Sequence, residues 1–323
     1  MQNNLIYQQK RIERKPIKTA TNCIGGAFLL GEGIVLILQF ALIFVLSLFS
    51  KSQILSDDGF SWMLQIALST IMFTIPFAIM CYPMATSPAR CCAFGKHEKG
   101  TLLPLVLIGL AVCMVANLLG GIFSSVFGAI GIESQSTQFQ SDILKGWYFP
   151  VISLIGGAVL PALIEEFALR GVVLGSLRRY GDNFAIIVSA ILFGIMHGNL
   201  EQIPFAFVLG LYFGFITVKT GTVWAAVLLH FINNAFAFFF DIIANVLGNS
   251  SNTLINYTYF AVMILLGFIG VGLSYKKDLF KLEPDEKGAL TLGDKLGVFA
   301  SSPCIAIYVG FIIFKMVLQG LMV

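Results

Sequence analysis

The stretch PALIEEFALRG, residues 161–171, places three charged side chains inside an otherwise apolar run. Glu165, Glu166 and Arg170 stand in a segment that is long and apolar enough to cross a bilayer as a helix. A charged side chain at the bilayer centre costs about 2.5–3.5 kcal/mol on insertion scales, so such residues are usually paired or functional. The stretch therefore predicts a membrane protein with a polar site inside one of its helices.

The composition of the whole chain indicates a polytopic membrane protein. Of its 323 residues 57% are hydrophobic and 11% are charged, whereas soluble domains carry about 25% charged residues. The apolar runs are continuous and lack the alternation of a β-barrel, so we expect an all-α bundle of about eight or nine transmembrane helices. The nine candidate spans are 24–50, 61–83, 101–130, 147–177, 183–200, 202–218, 222–246, 257–274 and 297–322.

The basic residues predict how the spans are oriented. With the N-terminus in the cytoplasm, sixteen Lys and Arg residues lie on the cytoplasmic side, against Lys51 and Lys145 on the opposite side. We therefore expect a multi-pass protein of the cell membrane with a cytoplasmic N-terminus. The run 24–50 is too long for a signal-peptide core, and we interpret it as the first span. Eight spans remain possible, because only residues 219–221 separate the sixth from the seventh.

Several other features favour ordinary structural roles. The net charge of +3 follows from the topology, and no basic surface with interleaved aromatic residues points to a nucleic-acid partner. The six cysteines show no metal or redox spacing, so reduced thiols are expected. Cys91 and Cys92 could accept a lipid, although plain thiols are the simpler interpretation. Glu32 and Lys315, isolated within spans, are interpreted as snorkelling or locally paired groups without a function.

The ionisable residues divide the chain into regions. The first three and last two spans contain almost none, whereas the fourth to seventh spans carry nearly all of those inside the membrane. We therefore distinguish a basic cytoplasmic tail (1–20), N-terminal transmembrane helices (21–146), a four-helix catalytic core (147–246) and C-terminal transmembrane helices (247–323). Function is expected in the core.

Helical spacing suggests how the three charges of the opening stretch are arranged. Glu166 and Arg170 are four residues apart, so they share a helix face and can form an ion pair. Glu165 lies about 100° round the helix and is not neutralised by that contact. Pro161 removes one backbone hydrogen bond and often leaves polar backbone beside a cavity. A purely structural cluster and a functional Glu165 both remain open at this point.

Histidines favour the functional alternative. Of the three in the chain, His197 and His230 lie inside predicted spans, while His97 does not. Glu165 precedes the hairpin glycine at position 181 by 16 residues and His197 follows it by 16, so the two side chains lie at similar depth. His230 and Asn234, four apart, share a face of the seventh span. Together these groups could supply a base, an orienting group and two hydrogen-bond donors.

Three motifs now carry a resemblance to a known family. EExxxR at 165–170, FxxxH at 193–197 and HxxxN at 230–234 resemble the motifs of CAAX prenyl protease 2 and related bacterial proteins, the CPBP (Abi-like) intramembrane glutamic endopeptidases. The resemblance covers about residues 150–240. It implies a bacterial membrane hydrolase without a cofactor that cleaves membrane-associated peptides or proteins, prenylated or not. Neither the substrate nor the oligomeric state follows from it.

The resemblance also implies a role for each motif residue. Glu165 would accept a proton from the attacking water, and His197 would orient that water. His230 and Asn234 would donate hydrogen bonds to the oxyanion that forms on the peptide carbonyl. The pair Glu166 and Arg170 would hold the helix and orient the catalytic carboxylate, and the guanidinium could also touch the substrate.

The basic residues suggest that this site opens to the cytoplasm. Arg178 and Arg179 mark the inner end of the fourth span. Arg179, the farther of the two, is 14 residues beyond Glu165. That separation is about 21 Å of helix, which suggests either a helix that projects into the cytosol or a thinned bilayer.

Three other functions remain open. In a zinc protease, Glu165, His197 and His230 would be three metal ligands, but the chain has no HExxH motif and the resembled family is regarded as metal-independent. In a proton-coupled transporter, Glu165, Glu166 and His197 would form a relay, but no internal repeat is visible. A non-catalytic membrane scaffold could keep the same packing without the chemistry.

Overall fold

The computed structural model of the protein describes residues 2–49, 51–84, 100–129, 149–247, 249–275, 279–282 and 288–321. This part of the chain is 89% helical and contains no strand, which confirms the predicted all-α membrane class. His97, Cys91, Cys92 and Lys145 lie outside the described ranges. So do six of the sixteen basic residues counted on the cytoplasmic side: Arg90, Lys96, Lys99, Lys276, Lys277 and Lys287.

Long helices follow each other with short connections. In chain order they are α1 (Gln2–Leu48), α2 (Asp58–Met80), α3 (Leu102–Ala129), α4 (Phe149–Tyr180), α5 (Asp182–Met196), α6 (Gln202–Thr220), α7 (Trp224–Leu247), α8 (Asn249–Ser274), α9 (Leu292–Ala300) and α10 (Pro303–Leu321). A short 3-10 helix (Ser52–Ser56) precedes α2. Every predicted span thus corresponds to a helix, and the predicted tail 1–20 is the first part of α1.

The predicted number of eight or nine spans is not confirmed. In the described part of the chain, six helices are long and apolar enough to cross a membrane, and α9 with α10, bent by 63°, would make a seventh. The apolar parts of α5 (Asp182–Met196) and α7 (Trp224–Phe240) are shorter. A 15-residue helix measures about 22 Å, less than the roughly 30 Å hydrocarbon core. Helix α5 is buried along most of its length, whereas α7 packs against α4, α6 and α8 and still exposes Leu228 and Phe239.

The core helices α4 to α7 lie between two flanking groups. On one side α1 packs against α2 and α10, and α2 contacts α4; on the other, α3 packs against α8 and α6. Helices α5 and α6 approach closely at Gly210, where an added Cβ would lie 2.8 Å from the Cα of Ala190. Small residues at such crossings let helix backbones pack tightly in membranes.

The first and last helices are joined by a charge pair within the membrane. Lys315 Nζ on α10 lies 3.1 Å and 3.3 Å from the two carboxylate oxygens of Glu32 on α1. This contact confirms the interpretation of both residues as locally paired.

Contacts at the end of the bundle that carries the N-terminus tie α1 to the polar segment before α9. Lys10 Nζ lies 2.9 Å from Asp294, and the Glu13 carboxylate accepts the backbone N–H groups of Ala289 and Leu290 at 2.9 and 3.1 Å. Part of the predicted tail is therefore held against the rest of the bundle, by Lys10 and Glu13 and by the buried side chains of Ile17 and Ala20.

Candidate active site

Helix α4 changes its type on both sides of Glu165. Ile155–Val159 and Phe167–Leu174 are π-helical, while the segment between them is α-helical. Pro161 follows the first π segment and has no N–H to donate, which disturbs the regular hydrogen-bond ladder there. Wider π turns inside α-helices are frequent at functional sites. The local sequence thus gives α4 an irregular backbone beside its charged residues.

The irregular backbone faces a polar side chain of α7. Asn234 Nδ2 donates to the carbonyl oxygen of Gly157 at 3.3 Å. Gly156 and Gly157 both line a cavity next to Pro161. The sequence-based expectation of polar backbone beside a cavity is therefore met.

The predicted ion pair is present and fully buried. Arg170 Nη1 lies 2.9 Å from Glu166 Oε1, and both side chains are 0% exposed. The same oxygen lies 2.9 Å from Nδ1 of His230, which is 4% exposed. Glu166 therefore joins α4 to α7 as well as pairing within α4.

Aromatic rings enclose the guanidinium group of Arg170. Its Cζ lies 4.3 Å from the ring centroid of Phe193 on α5 and 5.3 Å from that of Phe213 on α6. Such cation–π contacts stabilise a desolvated cation. The Phe193 ring also contacts the rings of His197 and His230, at 5.1 and 5.7 Å between centroids. The sequence analysis quoted Phe193 as part of a motif but missed this packing role.

Glu165 points away from the ion pair and into the cavity. Its side chain is 17% exposed, against 0% for the neighbouring Glu166. Its Oε2 atom lies 3.9 Å from Nε2 of His230, so the imidazole stands between the two carboxylates. The adjacent glutamates therefore occupy different environments, one paired in the core and one at a cavity wall.

His197 reaches the same cavity from the end of α5. The turn between α4 and α5 is at Gly181, whose φ of +126° suits glycine, and His197 caps the far end of the helix. Its Nδ1 lies 2.7 Å from the carbonyl oxygen of Phe193. A carbonyl oxygen only accepts hydrogen bonds, so Nδ1 carries the proton and Nε2 keeps its lone pair. His197 can thus accept a hydrogen bond from a water beside Glu165.

The cavity has a volume of about 550 Å³ and brings together Glu165, His197 and Asn234. His230 is not among its lining residues and lies behind Glu165. The structure therefore brings all six predicted site residues into one cluster, with three at the cavity wall and His230, Glu166 and Arg170 deeper in the bundle.

The sequence analysis missed one wall of this cavity. Helix α2 contributes Trp62, Gln65, Ser69 and Thr70, which follow one face of that helix. The signal was available, since polar residues recur there at helical spacing in an otherwise apolar span. It was overlooked because these side chains carry no charge, and function was sought only in the fourth to seventh spans.

The described residues contain no group of three or more His, Cys, Asp or Glu side chains placed to hold a metal ion. Glu165, Glu166 and His230 are close together, but Arg170 shares the carboxylate of Glu166. A guanidinium group beside a potential ligand opposes cation binding. The donor set therefore fits an ion-pair cluster better than a metal site.

Comparison with known proteins finds a family model that matches the part of the chain carrying this cluster. Residues 147–236 match the family model described as type II CAAX prenyl endopeptidase Rce1-like. The chain carries an Rce1-like domain. All three motifs lie within the matched residues, which confirms the resemblance found in the sequence.

Two bacterial relatives extend the match. YdiL of Bacillus subtilis (strain 168), which is named as a membrane peptidase, is 26% identical over 171 residues, covering 52% of this chain and 68% of YdiL. The membrane-embedded CAAX protease MroQ of Staphylococcus aureus (strain USA300) is 24% identical over 156 residues, covering 46% of this chain and 62% of MroQ. No solved structure matches the chain at a significant level. The family and these relatives support a protease of the membrane.

Proposed function

We propose that the protein is an intramembrane endopeptidase that hydrolyses peptide bonds of membrane-associated proteins or peptides with a water activated by Glu165. The observation that carries this proposal is that Glu165, His197 and Asn234 line one cavity within an Rce1-like domain. No metal or organic cofactor is required by the chemistry described below.

In the first step Glu165 acts as the general base. Its carboxylate takes one proton from a water molecule, while Nε2 of His197 accepts the other hydrogen of that water as a hydrogen bond and fixes its orientation. The water oxygen bonds to the carbonyl carbon of the substrate, and the electron pair of the C=O π bond moves to the carbonyl oxygen. Holding base and water in one cavity supplies much of the rate enhancement.

The oxyanion is stabilised by donors on α7. Asn234 has two N–H bonds on its side-chain amide, and only one is needed for the hydrogen bond to the carbonyl of Gly157. The second is free to donate to the substrate oxygen. Nε2 of His230 is the other candidate donor, and it faces the carboxylate that activates the water. One such donor typically contributes about 2.7–4 kcal/mol to transition-state stabilisation.

In the last step the tetrahedral intermediate collapses. The carbon–nitrogen bond breaks, and its electron pair remains on the leaving nitrogen. The proton held by Glu165 passes to that nitrogen, so the carboxylate is regenerated and the products are a carboxylic acid and an amine.

The active site is proposed to open to the cytoplasm, on the side of the N-terminus. The Tyr180 hydroxyl donates to the carbonyl of Pro16 at 3.2 Å, which puts the α4–α5 turn level with Pro16. Pro16 precedes the predicted first span by eight residues, so the turn projects about 12 Å beyond the membrane boundary. His197 then lies only about 12 Å inside that boundary, since it follows Gly181 by 16 residues of helix. A projecting helix hairpin supports a cytoplasmic opening without a thinned bilayer.

Cysteine labelling tests the orientation. Cysteines introduced at Gly198 or at the cavity-lining Gln202, in separate variants with the native cysteines replaced, should react with a membrane-impermeant reagent in inside-out vesicles. Reaction only from the outside of intact cells would overturn the proposed opening.

Comparison of membrane peptides tests the activity. Membranes containing the wild-type protein are compared with membranes containing Glu165→Gln, and peptides that appear only with the wild type are then tested with purified protein in bilayers. Glu32→Gln is the matched control, because it makes the same change in another buried glutamate far along α1. The proposal requires cleavage by the wild type and by Glu32→Gln, and none by Glu165→Gln. Equal cleavage by Glu165→Gln would overturn it.

A further inference from the structure

The contact between Glu166 and His230 decides which ring nitrogen of the histidine carries a proton. We propose that Glu166 is a positioning residue that keeps Nδ1 of His230 protonated and directs Nε2 toward Glu165, so that His230 can donate to an oxyanion only as a doubly protonated ring. The catalytic half of this inference rests on the function proposed above, whereas the protonation of Nδ1 does not.

The chemistry of the contact fixes the direction of the hydrogen bond. Glu166 Oε1 lies 2.9 Å from Arg170 Nη1 and 2.9 Å from His230 Nδ1. A carboxylate paired with a guanidinium group is ionised, and an ionised carboxylate only accepts hydrogen bonds. Nδ1 must therefore donate. In a neutral histidine this leaves Nε2 without a hydrogen.

The packing around His230 prevents the ring from turning over. The ring lies 5.7 Å from the Phe193 ring and 5.7 Å from the Phe213 ring, between centroids, and the residue is 4% exposed. Turning the ring would break the bond to Glu166 and leave a buried carboxylate oxygen with one donor fewer, which is unfavourable in a site closed to water. Nε2 therefore stays directed at the Glu165 carboxylate, 3.9 Å away.

Charge balance then indicates the protonation state before catalysis. With Glu165 and Glu166 ionised and Arg170 charged, the cluster carries a net charge of −1 when His230 is neutral and of zero when His230 is doubly protonated. Buried charge clusters are stable when they are balanced and hydrogen-bonded. A doubly protonated His230 presents a hydrogen to each carboxylate, with Nδ1–H donating to Glu166 Oε1 and Nε2–H facing Glu165 Oε2 at 3.9 Å between N and O.

This arrangement gives Glu166 a part in the reaction that it could not have as a helix-stabilising residue alone. When Glu165 takes the proton from water, it no longer carries the charge that faces Nε2–H. Nε2–H can then donate a hydrogen bond to the oxyanion, which forms at the same moment. Without Glu166, His230 can adopt the neutral form that carries its hydrogen on either nitrogen, and the charged donor is lost.

Nuclear magnetic resonance of the histidine rings tests the protonation of Nδ1 directly. Protein labelled with ¹³C and ¹⁵N only at histidine is reconstituted in bilayers, and Nδ1 is identified by its correlation with Cγ and Nε2 by its correlation with Cδ2. The chain contains three histidines, so His97→Gln and His197→Gln suffice to assign the His230 signals. We expect a protonated Nδ1 in the wild type. An unprotonated Nδ1 with a protonated Nε2 would overturn the inference, whether or not the protein is a protease.

Kinetics test the consequence for catalysis. Glu166→Gln replaces a carboxylate that can only accept with an amide that can accept or donate, so Nδ1 of His230 is no longer required to donate. Glu166→Gln with Arg170→Gln makes the same change without leaving a lone buried cation. The double variant provides the test if the single variant folds poorly. In folded protein we expect kcat to fall about tenfold or more with KM changed less than about twofold, together with a change in the His230 ring signals. An unchanged kcat with altered ring signals would show that Glu166 has no part in the reaction and would overturn this half of the inference.

Discussion

In the described part of the chain, Glu166 and Glu32 each pair with a Lys or Arg side chain in the membrane helices, and the two pairs have different surroundings. Glu166 and Arg170 stand one turn apart on α4, with both side chains 0% exposed. Glu32 and Lys315 join the first and last helices across 283 residues, and the lysine side chain is 42% exposed. The first pair is enclosed by aromatic rings and contacts His230, for which a catalytic role is proposed, while the second is a contact between two outer helices.

The difference indicates that the role of an ion pair in the membrane depends on which third group contacts it. Glu166 shares its oxygen between Arg170 and His230, and His230 in turn faces Glu165. For the α1–α10 pair, the only third group that the structure records near its cation is the Phe311 ring, 5.6 Å from Lys315 Nζ. The charges of the two pairs are alike, but only one of them is connected to a cavity with a second carboxylate.

The largest effect is expected when Arg170 is removed from the Glu166–Arg170 pair, the core pair. The Glu32–Lys315 pair is the outer pair. Arg170→Ala leaves Glu166 buried with His230 alone, and removing one partner of a buried pair costs about 3–5 kcal/mol. We expect a large loss of folded protein, measured as monodisperse yield and thermal stability in detergent. Adding Glu166→Gln to Arg170→Ala should restore part of the yield. Equal damage in the single and double variants would mean that the two side chains do not depend on each other.

The next largest effect is expected when a hydrogen-bond donor on α7 is removed. These donors belong to the site around the core pair and not to the surroundings of the outer pair. His230→Ala and Asn234→Ala should each lower kcat by about 10²–10³ when an oxyanion donor is lost. Asn233→Ala is the comparison variant: Asn233 is buried, accepts a hydrogen bond from Asn117 at 3.1 Å and donates to Asn234 Oδ1 at 3.4 Å, so its loss should lower kcat less than the loss of Asn234 itself. A fall in kcat as large for Asn233→Ala as for Asn234→Ala would contradict the assignment of the donor.

A smaller effect is expected at the cavity wall formed by α2. Gln65 lines the cavity opposite α4, so Gln65→Leu should raise KM several-fold by removing a hydrogen-bonding group worth about 0.5–1.5 kcal/mol. Thr74→Val changes a polar residue of the same helix whose hydroxyl bonds the carbonyl of Thr70, and it should leave KM nearly unchanged. Similar KM values for wild type and Gln65→Leu would mean that α2 does not contact the substrate.

The smallest effect is expected from the outer pair. Lys315→Met removes an interhelical polar contact, and such contacts contribute about 0.6 kcal/mol on average in membrane proteins. Thermal stability should fall slightly, and activity per folded molecule should be unchanged. A fall in thermal stability as large as that of Arg170→Ala, or a loss of activity per folded molecule, would show that the two pairs are not as different as their surroundings indicate.

The helices and the composition of the site could be predicted because both depend on short-range patterns. Continuous apolar runs located the long helices of the described residues, although the run 297–322 merged part of α9 with α10. The four-residue spacing of Glu166 and Arg170 predicted their pair. Equal distances from Gly181 placed Glu165 and His197 at one depth, and both line the cavity. Charges and helical spacing are properties that a single sequence displays directly.

The remaining features depend on tertiary packing, which a single sequence displays poorly. The number of membrane spans could not be predicted from the apolar runs of α5 and α7, because helices packed within a bundle need not match the bilayer thickness. The wall formed by α2 was hidden because Gln65 has no charge to distinguish it. The bond from His230 to Glu166 joins residues 64 apart and depends on how α7 packs against α4.

Hydrolysis of one peptide by metal-depleted protein tests the central claim, that Glu165 activates water without a metal ion. Purified protein in bilayers is treated with a strong chelator, and its rate is compared with those of untreated protein, Glu165→Gln and protein given zinc after chelation. The account predicts equal rates before and after chelation, a rate lower by orders of magnitude for Glu165→Gln at unchanged thermal stability, and a falling rate as acid protonates Glu165. A protein that loses its activity on chelation and regains it with zinc would contradict the account, and Glu165 would then be a metal ligand.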